Sequence, residues 1–197
     1  MQRKRIAVTG GIGSGKSTVL SYLKEKGYAV FSCDEIYRTL LKTEEYIRAI
    51  AAAFPDVIDG CGIDKKKLAE LVFNDKRSRD RLNAIAHPWI MQRLFQEMEQ
   101  SNSRVCFAEV PLLFENGFEK DFDATLVVLR EKNIRIQSVI HRDGQSQEQV
   151  EGRIHAQFDY DAQENQTFLQ KENVHVIYNN DNKNALYEKI DEYLLQL

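Results

Sequence analysis

A chain of 197 residues, 43% hydrophobic and 29% charged, can bury one α/β core with helical insertions and needs no metal or disulfide to hold it. A formal net charge of −3 excludes a global positive field for nucleic acid or an anionic membrane, so a phosphate ligand must be held by a local group of donors and cations. Three cysteines without metal-ligand spacing (Cys33, Cys61, Cys106), and a basic start followed only by Ile6-Ala7-Val8, are expected of a reduced cytoplasmic protein with no secretory leader and no membrane span.

In chain order, residues 6–8 form a first apolar burst that reads as a buried strand, and a glycine-rich loop follows it. A helix is expected over 18–26 and a second strand over 28–32. Residues 35–54 and 65–100 read as a long helical region with only turn breaks. No strand is expected from 34 to 103, an interval longer than a plain βαβ crossover needs. Within it, Pro88 suits the first turn of a helix with His87 at its start, and Trp89 suits a core. Strands over 105–110 and 124–129, helices over 134–141 and 146–170, a strand over 174–178 and a helix over 183–195 complete the pattern. Short β-rich runs alternating with helices predict an α/β fold with a parallel five-stranded sheet. The organisation expected is one domain. Its core comprises 1–33, 104–135 and 174–197, with a helical substrate-binding insertion over 34–103 and a helical lid over 136–173. The alternative for the insertion is that its helices only cover a sheet face.

The loop Gly10-Gly11-Ile12-Gly13-Ser14-Gly15-Lys16-Ser17 fits the P-loop pattern at every fixed position, after a predicted strand and before a predicted helix. Glycines let consecutive N–H groups face a phosphate, and the helix dipole adds positive character there. The nucleotide-binding set is Gly11, Ile12, Gly13, Ser14, Gly15, Lys16, Ser17 and Thr18, with Lys16 on the β and γ phosphates and the Ser17 hydroxyl available to Mg²⁺. A dinucleotide fingerprint fails, because Lys16 stands where its last glycine would be. No N-K-x-D motif for guanine occurs. A small-molecule kinase using ATP and Mg²⁺ remains, and it needs a group for the acceptor hydroxyl. Asp34 stands just beyond the second strand, where ligands of open α/β sheets bind; the competing reading is a helix N-cap.

Several further segments carry a resemblance. They are Ser32-Cys33-Asp34-Glu35-Ile36-Tyr37-Arg38, His87-Pro88, Val110-Pro111-Leu112-Leu113-Phe114-Glu115, Arg142-Asp143-Gly144, Arg153-Ile154-His155-Ala156-Gln157 and Tyr178-Asn179-Asn180. With the phosphate loop, and in this order, they resemble the dephospho-coenzyme A kinase family. The resemblance implies a P-loop kinase fold and ATP-dependent phosphorylation of the 3′-hydroxyl of dephospho-coenzyme A, the last step of coenzyme A synthesis. It implies Asp34 facing the acceptor hydroxyl, Arg38, His87, Pro111 and Leu112 on the substrate side, and Arg142 as a lid arginine meeting the ATP phosphates. It also implies Glu109 acting on Mg²⁺. Asp34, Lys16 and Arg142 are then the catalytic set. No nucleic acid or membrane partner is expected, and the protein is expected to be a monomer or small homo-oligomer.

The chain departs from the family pattern at three places. Ser32 replaces a first aspartate, and Ser138 stands where an arginine is common. Asp159, Asp161 and Glu164 occupy a stretch that is usually basic. The alternatives are another small-molecule or nucleoside monophosphate kinase, or a nucleotide-binding regulator without turnover.

Overall fold

Strand β1 (Lys4–Thr9) goes from half-buried at its start to fully buried over Ile6–Thr9, and that gradient marks it as the centre of a sheet. The computed structural model describes residues 3–60 and 62–197; Met1, Gln2 and Cys61 lie outside them. After β1 come α1 (Lys16–Glu25), β2 (Ala29–Ser32), α2 (Cys33–Leu40), α3 (Glu44–Ala53), β3 (Ile58–Asp59), β4 (Gly62–Ile63), α4 (Lys65–Asn74) and α5 (Lys76–Gln100). Then follow β5 (Val105–Glu109), β6 (Ala124–Leu129), α6 (Lys132–Asp143), α7 (Gln147–His155), α8 (Gln166–Leu169), β7 (Val174–Tyr178) and α9 (Lys183–Leu194). The chain divides into two compact units, Met1–Phe31 with Ser101–Leu197, and Ser32–Gln100.

The first unit is built on a five-stranded parallel sheet of order β2-β5-β1-β6-β7, as the strand pattern predicts. Register aligns the strands' carboxyl ends: Val8 pairs with Glu109 and Leu126, and Leu129 with Tyr178. Helices α1 and α9 bring Val19, Leu20, Leu23, Leu186, Ile190 and Tyr193 onto Ile6, Val8, Phe107, Leu126 and Val128 of the sheet. Each such side chain contributes about 2 kcal/mol by leaving water. The two helices are also joined by a Tyr22–Tyr187 stack at 3.8 Å, and the Tyr22 hydroxyl donates to Asp191 at 2.8 Å. A second apolar cluster ties Ile12 of the phosphate loop to Ile136 and Val139 of α6 and Val150 of α7.

One helix is shorter than the sequence suggests. The expected helix over 146–170 ends with α7 at His155, and a 3-10 turn over Gln163–Asn165 leads to the single turn α8. The cause is local competition for backbone groups. The Asp159 carboxylate accepts from Asp161 N at 3.0 Å, and Asn165 Nδ2 donates to the Asp159 carbonyl at 2.8 Å.

The second unit packs α5 against α2, α3 and α4. Asp75 separates α4 from α5 by accepting from Arg77 N and Ser78 N. The strand-free expectation for this interval is corrected by the two-residue antiparallel ladder β3–β4. The placing of His87 at a helix start is corrected as well, because α5 runs through Pro88 without interruption. Proline cannot donate to the carbonyl of Ala84, but Ala84 is exposed and water can take that acceptor. Trp89 is half-buried, edge-on to the buried Tyr46 at 5.7 Å.

Beyond β5 the chain turns through Pro111 into Leu112, the one non-glycine residue with positive φ (56°) among the described residues. Buried Leu113 and Phe114 anchor the turn, and Asn116 donates through both its backbone N and Nδ2 to the Leu112 carbonyl. The left-handed backbone costs a leucine roughly 1–2 kcal/mol, and a β-branched residue more. Leu112→Gly is therefore expected to leave the thermal midpoint within a few degrees of wild type, because relief of strain offsets the added chain entropy, whereas Leu112→Val lowers it clearly. Thermal denaturation of the two variants checks this; equal midpoints would remove the strain.

Candidate active site

β1 delivers the chain to the phosphate loop at Thr9, and α1 carries it away from Lys16, its first helical residue, with Gly15 as the N-cap. Two glycines are dictated by what stands behind the loop. A Cβ on Gly11 would collide with the Arg135 guanidinium. On Gly13, whose φ is 78°, it would lie 2.6 Å from the Arg135 carbonyl oxygen, a backbone atom that cannot yield.

Arg135, on α6, is only 7% exposed and its Nε donates to the Ile12 carbonyl at 2.9 Å. The Ile12 N–H donates to Gln157 Oε1 at 2.8 Å, so both backbone groups of Ile12 are engaged. From the other side, Asn179 Nδ2 donates to the Ser14 carbonyl at 2.9 Å, while the backbone N–H of Asn179 is held by the Leu129 carbonyl. The Tyr160 hydroxyl meets Thr9 Oγ1 at 3.5 Å, and burial pushes that phenol's pKa up. Burial lowers the pKa of Arg135, and Asp161, Tyr160 and Asp159 oppose that shift by favouring its charge. A guanidinium stays charged regardless, so the acidic residues of this segment act as its counter-charges.

The front of the loop opens into a cleft of about 230 Å³ lined by Gly13, Lys16, Ser17, Glu109, Arg130, Ser138 and Arg142, among others. Lys16 Nζ donates to the carbonyls of Gly10 (2.8 Å) and Gly11 (3.2 Å). Arg142 grips Asp143 through Nε (2.6 Å) and its terminal nitrogen (2.9 Å), and Arg153 approaches the same carboxylate at 3.6 Å. The ion pair raises the pKa of Arg142 and lowers that of Asp143. Beside the cleft a hollow of about 550 Å³ is bordered by Thr18, Arg130, Asn179, Lys183 and Tyr187. A hollow of similar size, about 510 Å³, borders Lys4, Asp123 and His175 and holds no phosphate-loop residue. Inside the loop the Ser14 hydroxyl is buried and has no hydrogen-bond partner among the described residues.

The structure brings together the phosphate loop, Glu109 and Arg142. Asp34, Arg38 and His87 belong to the other unit. Asp34 is exposed in the first turn of α2, one turn from exposed Arg38, and the N-cap of that helix is Ser32. Asp34 therefore does not serve as the cap, which removes the competing reading of this residue. His87 is half-buried on α5, and burial lowers its pKa. Pro111 is half-buried and Leu112 exposed at the strand exit. Arg135 and Arg130 escaped sequence reading. Neither lies in a motif, and an arginine on an amphipathic helix or just after a strand looks like an ordinary surface cation.

The model of the dephospho-CoA kinase family matches residues 4–184, nearly the whole chain and all of the loop and its backing. The chain belongs to the dephospho-CoA kinase family. A dephospho-CoA kinase of Fusobacterium nucleatum is 36% identical over 190 residues, covering 95% of each chain, and one of Geobacillus kaustophilus is 38% identical over 159 residues, covering 78% of this chain and 79% of that one. A crystal structure from Thermus thermophilus superposes with a TM-score of 0.83 at 31% identity, covering 100% of this chain and 99% of that one. A gluconokinase from Sinorhizobium meliloti, at TM-score 0.54 and 14% identity over 99% of this chain and 94% of that one, shares the fold alone. As in other P-loop folds, this kinase's loop presents donors where a helix begins.

An unpaired buried hydroxyl costs about 1–3 kcal/mol, which a phosphate oxygen accepting from it would recover. Ser14→Ala is expected to raise the ligand-free thermal midpoint while weakening ATP binding severalfold. Calorimetric titration and thermal melting test the two together; a lower midpoint with unchanged ATP affinity contradicts the assignment.

Proposed function

We propose that the chain transfers the γ-phosphoryl group of ATP to the 3′-hydroxyl of the ribose of dephospho-coenzyme A, giving ADP and coenzyme A, the last step of coenzyme A synthesis. The observation that carries this reading is the family match across residues 4–184, with the phosphate loop folded on β1 and α1 inside it. The 3′ oxygen attacks the γ phosphorus as the bond to the β–γ bridging oxygen breaks, and the 3′ proton passes to the Asp34 carboxylate. Lys16 exchanges the loop carbonyls for phosphate oxygens, and Arg142 adds positive charge at the same cleft. Stabilisation comes from positioned charge, so no phosphoenzyme is required. Arg38, His87, Pro111 and Leu112 are read as acceptor-side residues.

Mg²⁺ fits the donors present. The Ser17 hydroxyl and the Glu109 carboxylate are hard oxygens lining one cleft with Lys16, and this ion commonly takes few protein ligands beside substrate phosphates. When bound it would neutralise phosphate charge. A cytoplasmic setting belongs to the same reading.

Incubation with ATP, Mg²⁺ and dephospho-coenzyme A should yield coenzyme A by mass spectrometry; binding of ATP without product from this acceptor sinks the reading. Lys16→Ala is expected to lower kcat by orders of magnitude in a folded protein, since the backbone donors remain but the mobile cation is gone. Normal turnover would take Lys16 out of the mechanism. Asp34→Asn should depress kcat at least ~100-fold with ATP affinity little changed. Since Ser32 is the cap, a mild phenotype would leave Asp34 without a role in proton transfer.

A further inference from the structure

Arg130 directly follows the last residue of β6, at the end of the sheet where the phosphate loop opens. It borders both the 230 Å³ phosphate cleft, with Gly13, Lys16 and Glu109, and the adjoining 550 Å³ hollow, with Thr18 and Asn179. Its side chain is half-buried. One terminal nitrogen donates to Ser138 Oγ at 3.0 Å, while its Nε is buried with no partner among the described residues. Among the described residues no acidic side chain is paired with it, in contrast to Arg142 on Asp143.

We propose that Arg130 is a phosphate-binding residue for the nucleotide, aimed into the cleft by Ser138. A guanidinium beside a phosphate loop, with one N–H fixed and another buried and unsatisfied, matches the planar fork that grips phosphate oxygens. Ser138 is a positioning residue: it orients the guanidinium without neutralising it, as a carboxylate would. Its place on α6 is the one where the resembled pattern carries arginine. In this chain the cation reaches the cleft from β6 instead, with the serine as its rest. Arg130 sits where the cleft meets the hollow, so the assignment is to the nucleotide's phosphate chain and not to the acceptor. The inference rests on ATP as the donor.

Calorimetric titration with ATP, with adenosine as the phosphate-free control and with no acceptor present, separates this claim from the transfer reaction. If wild-type protein failed to bind ATP, the functional reading itself would be lost. Given binding, Arg130→Ala and Arg130→Gln are each expected to weaken ATP about tenfold or more, as loss of a charge-assisted phosphate contact does, with adenosine affinity unchanged. Ser138→Ala keeps the guanidinium and should weaken ATP no more than about threefold. If Arg130 only tethers β6 to α6, Ser138→Ala and Arg130→Ala will match each other, and adenosine will weaken along with ATP. Either result, or unchanged ATP affinity in both Arg130 variants, overturns the proposal. Thermal melting of each ligand-free variant confirms that folded protein is being compared.

Discussion

The phosphate loop depends on one buried cation, Arg135, whose Nε hydrogen-bonds the carbonyl of Ile12 from behind. A loop built to present N–H groups forward has carbonyls pointing elsewhere, and a buried carbonyl needs a donor. Arg135 supplies it. Its guanidinium also occupies the space a side chain on Gly11 would take, and its own backbone oxygen closes the space beside Gly13. Two glycines of the loop, at positions the phosphate-loop pattern leaves open, are thus fixed by helix α6. Gln157 and Asn179 hold Ile12 and Ser14 from two further segments. The loop's shape is therefore set by side chains more than 100 residues away, and it exists before any phosphate arrives. Preorganised donors of this kind are what electrostatic stabilisation of a transferring phosphoryl group requires.

A buried guanidinium must itself be compensated. That gives the acidic stretch after α7 a physical meaning. In the sequence, Asp159, Asp161 and Glu164 look like a loss of positive charge from a lid. In the fold, Asp161 and Asp159 favour the charged state of Arg135, and Tyr160 between them packs its ring near Phe114 and Phe158. The carboxylates do not simply dilute the cleft's charge. From exposed positions, Asp159 and Asp161 favour the charge of the cation behind the loop. A basic residue in their place would remove that favourable charge.

What was legible in the sequence follows from how local each signal is. The five strands could be read because each is a short apolar run, and the phosphate loop because its constraints lie within eight consecutive residues. Asp34 could be placed near a helix start, but only the backbone shows Ser32 in the cap position. Helix ends were harder. Nothing in the residue pattern forbids a helix from 156 to 170, and the Asp159 and Asn165 bonds that stop it depend on a turn already formed. Pro88 misled for a different reason: a proline is a strong local stop signal, yet packing of α5 on three neighbouring helices outweighs one lost backbone bond. Arg135 was invisible because its role is long-range. Arg135 acts on a residue 123 positions away, and nothing near it in sequence distinguishes it from a surface arginine.

The cations around the cleft share a feature that bears on how a phosphate would bind. Lys16 rests on two carbonyls, Arg142 on Asp143 and Arg130 on a serine hydroxyl. Phosphate binding is then an exchange of partners, and the partners differ in strength. Neutral carbonyl and hydroxyl acceptors give up a cation to a phosphate readily, since a charge-assisted bond is about twice as strong as a neutral one. A bidentate carboxylate does not, although the Arg142 pair is exposed, its arginine side chain 60% accessible, and exposed pairs contribute only about 0–1 kcal/mol. Arg142 can therefore leave Asp143 at small cost, and Arg153, within 3.6 Å of the same carboxylate, remains to neutralise it. In a chain of net charge −3, each of these cations thus has an internal acceptor in the ligand-free protein, while the Arg130 Nε stays unsatisfied.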